Sequence, residues 1–86
     1  DLTIIIPDYK SPVLKEVIEN SLLLKPNKIV VSNYKTLLTE KIQKEMISET
    51  NIVFLNFDER KNPGDYRNEG VKNSYTKNLL FLDYRE

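Results

Sequence analysis

Leu2-Thr3-Ile4-Ile5-Ile6-Pro7 is the stretch that decides the fold. Five residues without a charge, most of them β-branched and closed by a proline, read as a strand buried on both faces. Alternation of polar and apolar positions, the mark of a half-exposed strand, is missing. Strands of this kind belong to parallel sheets whose faces are covered by helices, so the flanking sequence should supply helices.

It does. Ser11-Pro12 predicts a helix start, with serine able to cap and proline suited to the first helical position. Val13, Leu14, Val17, Ile18, Ser21 and Leu22 form one face, and Lys25-Pro26-Asn27 breaks the pattern. Lys28-Ile29-Val30-Val31 is a second short strand. Thr36 caps a second expected helix, whose apolar face is Leu38, Ile42 and Met46 with Leu37 adjoining. Asn51 to Asn56 is a third strand, and Asp58 to Asn62 a charged loop. Asn62 caps a third helix opened by Pro63, in which Gly70 suits a close approach to the sheet. Asn78 to Asp83 is the fourth strand. The order β-α-β-α-β-α-β predicts an α/β, Rossmann-like open parallel sheet of about four strands with three helices. An all-helical bundle fails on the four β-rich runs.

Composition excludes more than it assigns. The 86 residues make a single domain, 1–86, and carry thirteen basic and thirteen acidic side chains. That balance leaves no electrostatic footprint for nucleic acid or an anionic membrane. Cysteine and histidine are both absent. Disulfides and thiolate metal sites are therefore excluded, and acid–base work would fall to Asp, Glu, Lys or Tyr. The lack of cysteine fits a reducing compartment, so a cytoplasmic location is expected. No apolar run approaches the ~18 residues of a membrane span. The start at Asp1-Leu2-Thr3 is neither an initiator methionine nor a signal peptide, and a truncated piece of a longer protein is expected.

In open parallel sheets ligands sit beyond the carboxyl ends of the strands, near the reversal of strand order. The residues to weigh are Pro7-Asp8-Tyr9-Lys10, Ser32-Asn33-Tyr34-Lys35, Asn56 to Lys61 and Asp83-Tyr84-Arg85-Glu86. Asp8 can accept a hydrogen bond from a base or ribose, or simply make the turn after Pro7. Tyr9 can stack on a base or cover the sheet edge. Asn33 offers a donor and an acceptor to a pyrimidine edge, or is a plain loop residue. Arg67 falls near the start of the third helix, where backbone N–H groups already favour phosphate. It either adds bidentate bonds to a diphosphate or pairs with Asp65 or Glu69. Asp83 ends an apolar strand and can hold a divalent cation bridging two phosphates, with Glu86 as a second ligand.

Taken in order, these segments resemble the family 2 glycosyltransferases of the GT-A fold, in their N-terminal, nucleotide-sugar-binding half. Those proteins open with an apolar strand followed by Pro-x-Tyr-Asn, which Ile6-Pro7-Asp8-Tyr9-Lys10 resembles. A glycine-containing segment and Ala-Arg-Asn-x-Gly then precede a strand ending in Asp-x-Asp. Gly64-Asp65-Tyr66-Arg67-Asn68-Glu69-Gly70 and Leu79-Leu80-Phe81-Leu82-Asp83 are similar to these, and the likeness spans essentially the whole chain. The resemblance implies that Pro7, Asp8 and Tyr9 line the base site, that Arg67 approaches the nucleotide, and that Asp83 meets the ribose or a metal-bound diphosphate. It implies a nucleotide-diphosphate sugar as donor, Mn2+ or Mg2+ as cofactor, and a saccharide, lipid or protein acceptor, as in polysaccharide biosynthesis.

The sequence departs from the family pattern at two motifs. Ser32-Asn33-Tyr34-Lys35 stands where Asp-Asp-Gly-Ser is usual, and Arg85 replaces the second aspartate of Asp-x-Asp. The second change removes a customary metal ligand and puts a positive charge in its place. The later half of such a domain, which carries the catalytic base, has no counterpart here, so the 86-residue chain alone is expected to catalyse no transfer. A catalytically inactive glycosyltransferase-like module for sugar-nucleotide or protein binding is the alternative. A receiver-like phosphoacceptor domain shares the βα pattern, but Asp8 has no acidic neighbour and Asp58 lies past Asn56-Phe57. Truncation is expected to leave the Asn78–Asp83 strand without its usual neighbours, as an exposed sheet edge through which copies self-associate.

Overall fold

The computed structural model describes residues 1–74 and 76–82. Its elements are β1 (Leu2–Asp8), α1 (Leu14–Leu22), β2 (Lys28–Tyr34), α2 (Leu37–Glu45), β3 (Ile52–Phe57), α3 (Pro63–Lys72) and β4 (Asn78–Phe81). The four strands form one sheet in the order β3-β2-β1-β4, and every pairing is parallel. This is the α/β open sheet that the alternating pattern predicts.

Register and alternation give the sheet two unlike faces. Ile4 and Ile6 of β1, aligned with Ile29 and Val31 of β2, point to α1 and α2 and pack with Leu14, Ile18, Ile42 and Met46. Ile5, aligned with Val30, points the other way, to α3. A Cβ built on Gly70 would lie 2.4 Å from Ile5 Cγ2, so only glycine lets α3 settle this closely on β1. Chain order explains the division. The first two crossovers run from β1 to β3 in one direction and the third returns past β1 to β4. Crossovers of one hand then place α3 on the opposite face.

The structure moves several expected boundaries. β1 continues through Pro7 to Asp8 instead of stopping before the proline. Among the described residues β4 pairs with β1 as far as Ile5, and beyond that point β2 is the one strand neighbour described for β1, so a missing N–H is tolerated as at an edge. α1 starts at Leu14; the Ser11 hydroxyl instead accepts the Val13 N–H at 3.2 Å, closing a local turn ahead of the helix. Thr36 caps α2 as expected, in a reciprocal capping box with Thr39. That box turns Thr39, Ile42 and Met46 inward and leaves Leu38 and Leu37 outside, exposed by 42% and 86%. β3 extends one residue to Phe57, and Asn62 caps α3 by accepting the Asp65 N–H at 3.0 Å.

Candidate functional site at the carboxyl edge of the sheet

Strand order reverses at β1: its sequence neighbour β2 lies on one side and β4 on the other. In this architecture the crevice at such a reversal is the ligand position. The side chains at that edge follow from where each strand ends. Pro7 aligns with Ser32, Asp8 with Asn33, and Tyr34 with Phe57.

Asp8 is buried and shapes the turn after β1. Its Oδ1 accepts the Ser11 N–H at 3.2 Å, which closes the loop around Tyr9 and Lys10. Lys10 takes a left-handed backbone, φ 57°, inside that loop. Tyr9 lies at the surface with its ring 5.1 Å from that of Tyr34, tilted by 54°. The Arg60 guanidinium stands 4.9 Å from the Tyr9 ring centroid, and Lys10 Nζ is 5.4 Å from Tyr9 and 5.6 Å from Tyr34. Phe57 and Tyr66 extend the aromatic surface at 5.9 Å, with Lys61 Nζ 4.9 Å from the Phe57 ring. The Tyr66 hydroxyl accepts the Lys61 N–H at 3.3 Å. Burial pushes the Tyr66 phenol above the ordinary tyrosine value, against the pull of that hydrogen bond, and nearby Tyr9, Asp8 and Tyr34 add to the rise.

The expected site residues fall into three groups. Pro7, Asp8 and Tyr9 are together at the end of β1. Asn33 is at the same end of the sheet but fully buried on the α1/α2 face. Its amide lies 3.0 Å from Asn56 Oδ1, and Asn56 exchanges hydrogen bonds of 2.7 and 3.2 Å with Gln43 of α2. Turned over, the Asn33 amide would reach the Val31 and Leu55 carbonyls at 3.3 and 3.2 Å. Either way it joins the ends of β2 and β3 and does not face the open edge. Arg67 sits half-buried in α3, beyond the helix's first turn. Asp83, with Arg85 and Glu86, lies outside the described residues. Among the described residues no cluster of three or more His, Cys, Asp or Glu could hold a metal ion.

Of the aromatic and cationic members of this edge, Lys10, Tyr34, Phe57, Arg60 and Lys61 lie in the strand-end segments that the sequence marks, without an individual role there, and Tyr66 lies outside them. A signal for them was present. Tyr9-Lys10 and Tyr34-Lys35 repeat an aromatic–lysine pair at two successive strand ends, and Phe57 closes the third strand. Parallel register then sets these aromatics side by side.

Fold and edge together define an open parallel α/β sheet of Rossmann-like type with an aromatic, cation-lined carboxyl edge. No protein-family model matches the chain, and neither a curated protein nor a solved structure matches it. Among the described residues no helix is long and apolar enough to cross a membrane.

Proposed function

We propose that the chain is the donor-nucleotide-binding part of a family 2-like glycosyltransferase, which transfers a sugar from a nucleotide diphosphate donor to a saccharide, lipid or protein acceptor. The observation that supports this reading best is the position of Pro7-Asp8-Tyr9. They end the strand at which the sheet order reverses, and Tyr9 is 39% exposed. In this reading the base stacks on Tyr9, and Asp8 holds the turn that presents it. Asn33 acts from behind, by fixing the ends of β2 and β3. Arg67 approaches the nucleotide, and Asp83 carries Mn2+ or Mg2+, which would neutralise phosphate charge when bound. The side of β4 that faces away from β1, unpaired among the described residues, is where we place self-association, by antiparallel pairing with β4 of a second copy.

An NMR titration of the labelled chain with UDP and uridine tests the nucleotide reading. Saturable shifts centred on Tyr9 and Tyr34, lost in Tyr9→Ala by roughly tenfold in affinity, are expected, since base–aromatic stacking is worth about 1–3 kcal/mol. A well-dispersed spectrum that moves for neither ligand refutes it.

A further inference from the structure

We propose that Lys10, Arg60 and Lys61 form the phosphate-binding side of this edge, holding the anionic groups of a phosphate-bearing ligand directly. The inference rests on the nucleotide reading for the identity of the ligand, but on separate residues and separate observations for the anion.

The first observation is how the cations are partnered. Lys15, Lys35 and Lys72 each form an ion pair with a glutamate: Glu45, Glu40 and Glu69. Lys10, Arg60 and Lys61 form no such pair among the described residues, and neither do Lys25, Lys41 and Lys44. What sets Lys10, Arg60 and Lys61 apart is that each lies against an aromatic ring at the carboxyl edge. Asp58 and Glu59 occupy the same loop as Arg60 and Lys61 and are exposed, yet make no ion pair with them. Stacking on a ring orients a cation while leaving its N–H donors available, which is the state an incoming phosphate needs.

The second observation is the backbone of Lys10. A left-handed conformation costs a lysine roughly 1–2 kcal/mol that glycine would avoid. The other such residue, Lys25 at φ 51°, follows the C-terminus of α1, where this conformation ends many helices. Lys10 follows a strand, in a turn closed by Asp8, and its ammonium lies 5.4 and 5.6 Å from two tyrosine rings that are themselves 5.1 Å apart. Unfavourable backbone of this kind concentrates at binding sites, where the surrounding structure holds it in place. Here it aims a charge at the reversal of strand order. Arg60 reaches the same Tyr9 ring from the β3–α3 loop, so two cations from separate loops converge on one aromatic platform.

The test uses UDP, inorganic pyrophosphate and uridine as probes in EDTA, read by NMR shifts and calorimetry on the full chain. UDP and pyrophosphate are expected to bind and to shift Lys10, Arg60 and Lys61. Lys10→Gln, Arg60→Gln and Lys61→Gln should each weaken UDP roughly tenfold, as loss of a charge-assisted hydrogen bond does. Lys72→Gln, whose lysine pairs with Glu69 near the end of α3, should bind as the parent does. Lys10→Gly separates binding from folding: it should raise the unfolding midpoint by relieving the backbone and still weaken UDP. Pyrophosphate binding through the three cations with no gain for UDP would uphold the anion site and refute the nucleotide reading. UDP binding that is unchanged in all three Gln variants, or that appears only when Mn2+ is added, would overturn the cation site and leave the nucleotide reading standing. No binding of UDP or pyrophosphate would overturn both.

Discussion

β1 and β4 are neighbours with similar spelling and opposite surroundings. Ile4, Ile5 and Ile6 expose nothing, whereas Leu79, Leu80 and Phe81 are 39%, 36% and 39% exposed. Composition cannot account for the difference, since both are uncharged apolar runs. What differs is neighbours. β1 has strands on both sides, α1 and α2 over one face and α3 over the other, while among the described residues β4 pairs with β1 alone. An apolar run therefore reports that a strand forms; coverage is set by topology. Burial of a whole aliphatic side chain contributes about 1.5–3 kcal/mol, so stability should be concentrated in β1.

The largest expected effect tests that concentration. Ile5→Ala should cost about 2–5 kcal/mol in denaturant unfolding, and Leu79→Ala less than half as much. Gly70→Ala should also be costly, about 1–3 kcal/mol, because its new methyl falls on Ile5 Cγ2. Combining the two should reverse the sign of the second change. With the Ile5 branch gone the methyl has room, and alanine in place of glycine inside a helix gains about 1 kcal/mol. Additive losses in the double variant would show that Gly70 does not owe its place to Ile5, and equal losses at Ile5 and Leu79 would erase the contrast between the strands.

The parts of the molecule legible in the sequence are those governed by local chemistry. Ile4-Ile5-Ile6 and Ile29-Val30-Val31 announce buried strands, Thr36 and Asn62 announce caps, and Gly70 marks the close helix contact. The errors came where a tertiary neighbour decides. Leu38 sits at helical spacing with Ile42 and Met46, but the Thr36–Thr39 box rotates α2 so that the smaller Thr39 faces the sheet. Asn33 carries a side chain fit for reading a base, but the side-chain alternation of β2 sends it to the α2 face, where Asn56 and Gln43 meet it. At the candidate site, Pro7, Asp8 and Tyr9 could be named because they end the first strand. Arg60 and Lys61 fall in the Asn56 to Lys61 segment named with them, but their role could not be read, since their approach to Tyr9 and Phe57 depends on the path of the β3–α3 loop.

A medium effect probes the covered end of β1. Tyr66 is buried, and its hydroxyl accepts the Lys61 N–H. Tyr66→Phe should cost about 0.5–1.5 kcal/mol at neutral pH, the usual net worth of one such bond. It should also change the pH dependence in a defined direction. Burial raises the folded phenol's pKa, so the folded chain keeps a proton that the unfolded chain releases near pH 10. The associated stability is present in full below about pH 10 and is lost as pH rises through the higher folded value. The variant lacks this loss, so its unfolding free energy should fall less steeply than the parent's between about pH 9 and 11. Parallel curves would mean that the phenol is hydrated in the folded chain and that this end of the sheet is no better covered than β4.

The smallest expected effect on stability carries the most information about the uncovered strand. Leu80→Lys places a charge in the middle of β4, on the α1/α2 face of the sheet, aligned with Ile4. Lysine can lay its aliphatic stem along the sheet and hold its ammonium in water, so the dilute chain should lose under about 1 kcal/mol. A charge is nonetheless what disfavours pairing at an open edge. If copies meet through β4, the parent's weight-average mass in sedimentation should climb with concentration while the Leu80→Lys chain stays monomeric. Two results would break the account in different places. Association unchanged by the lysine would remove β4 as the meeting edge. Unfolding of the dilute Leu80→Lys chain would show that β4 supports the core as β1 does, and that its exposure conceals a structural dependence.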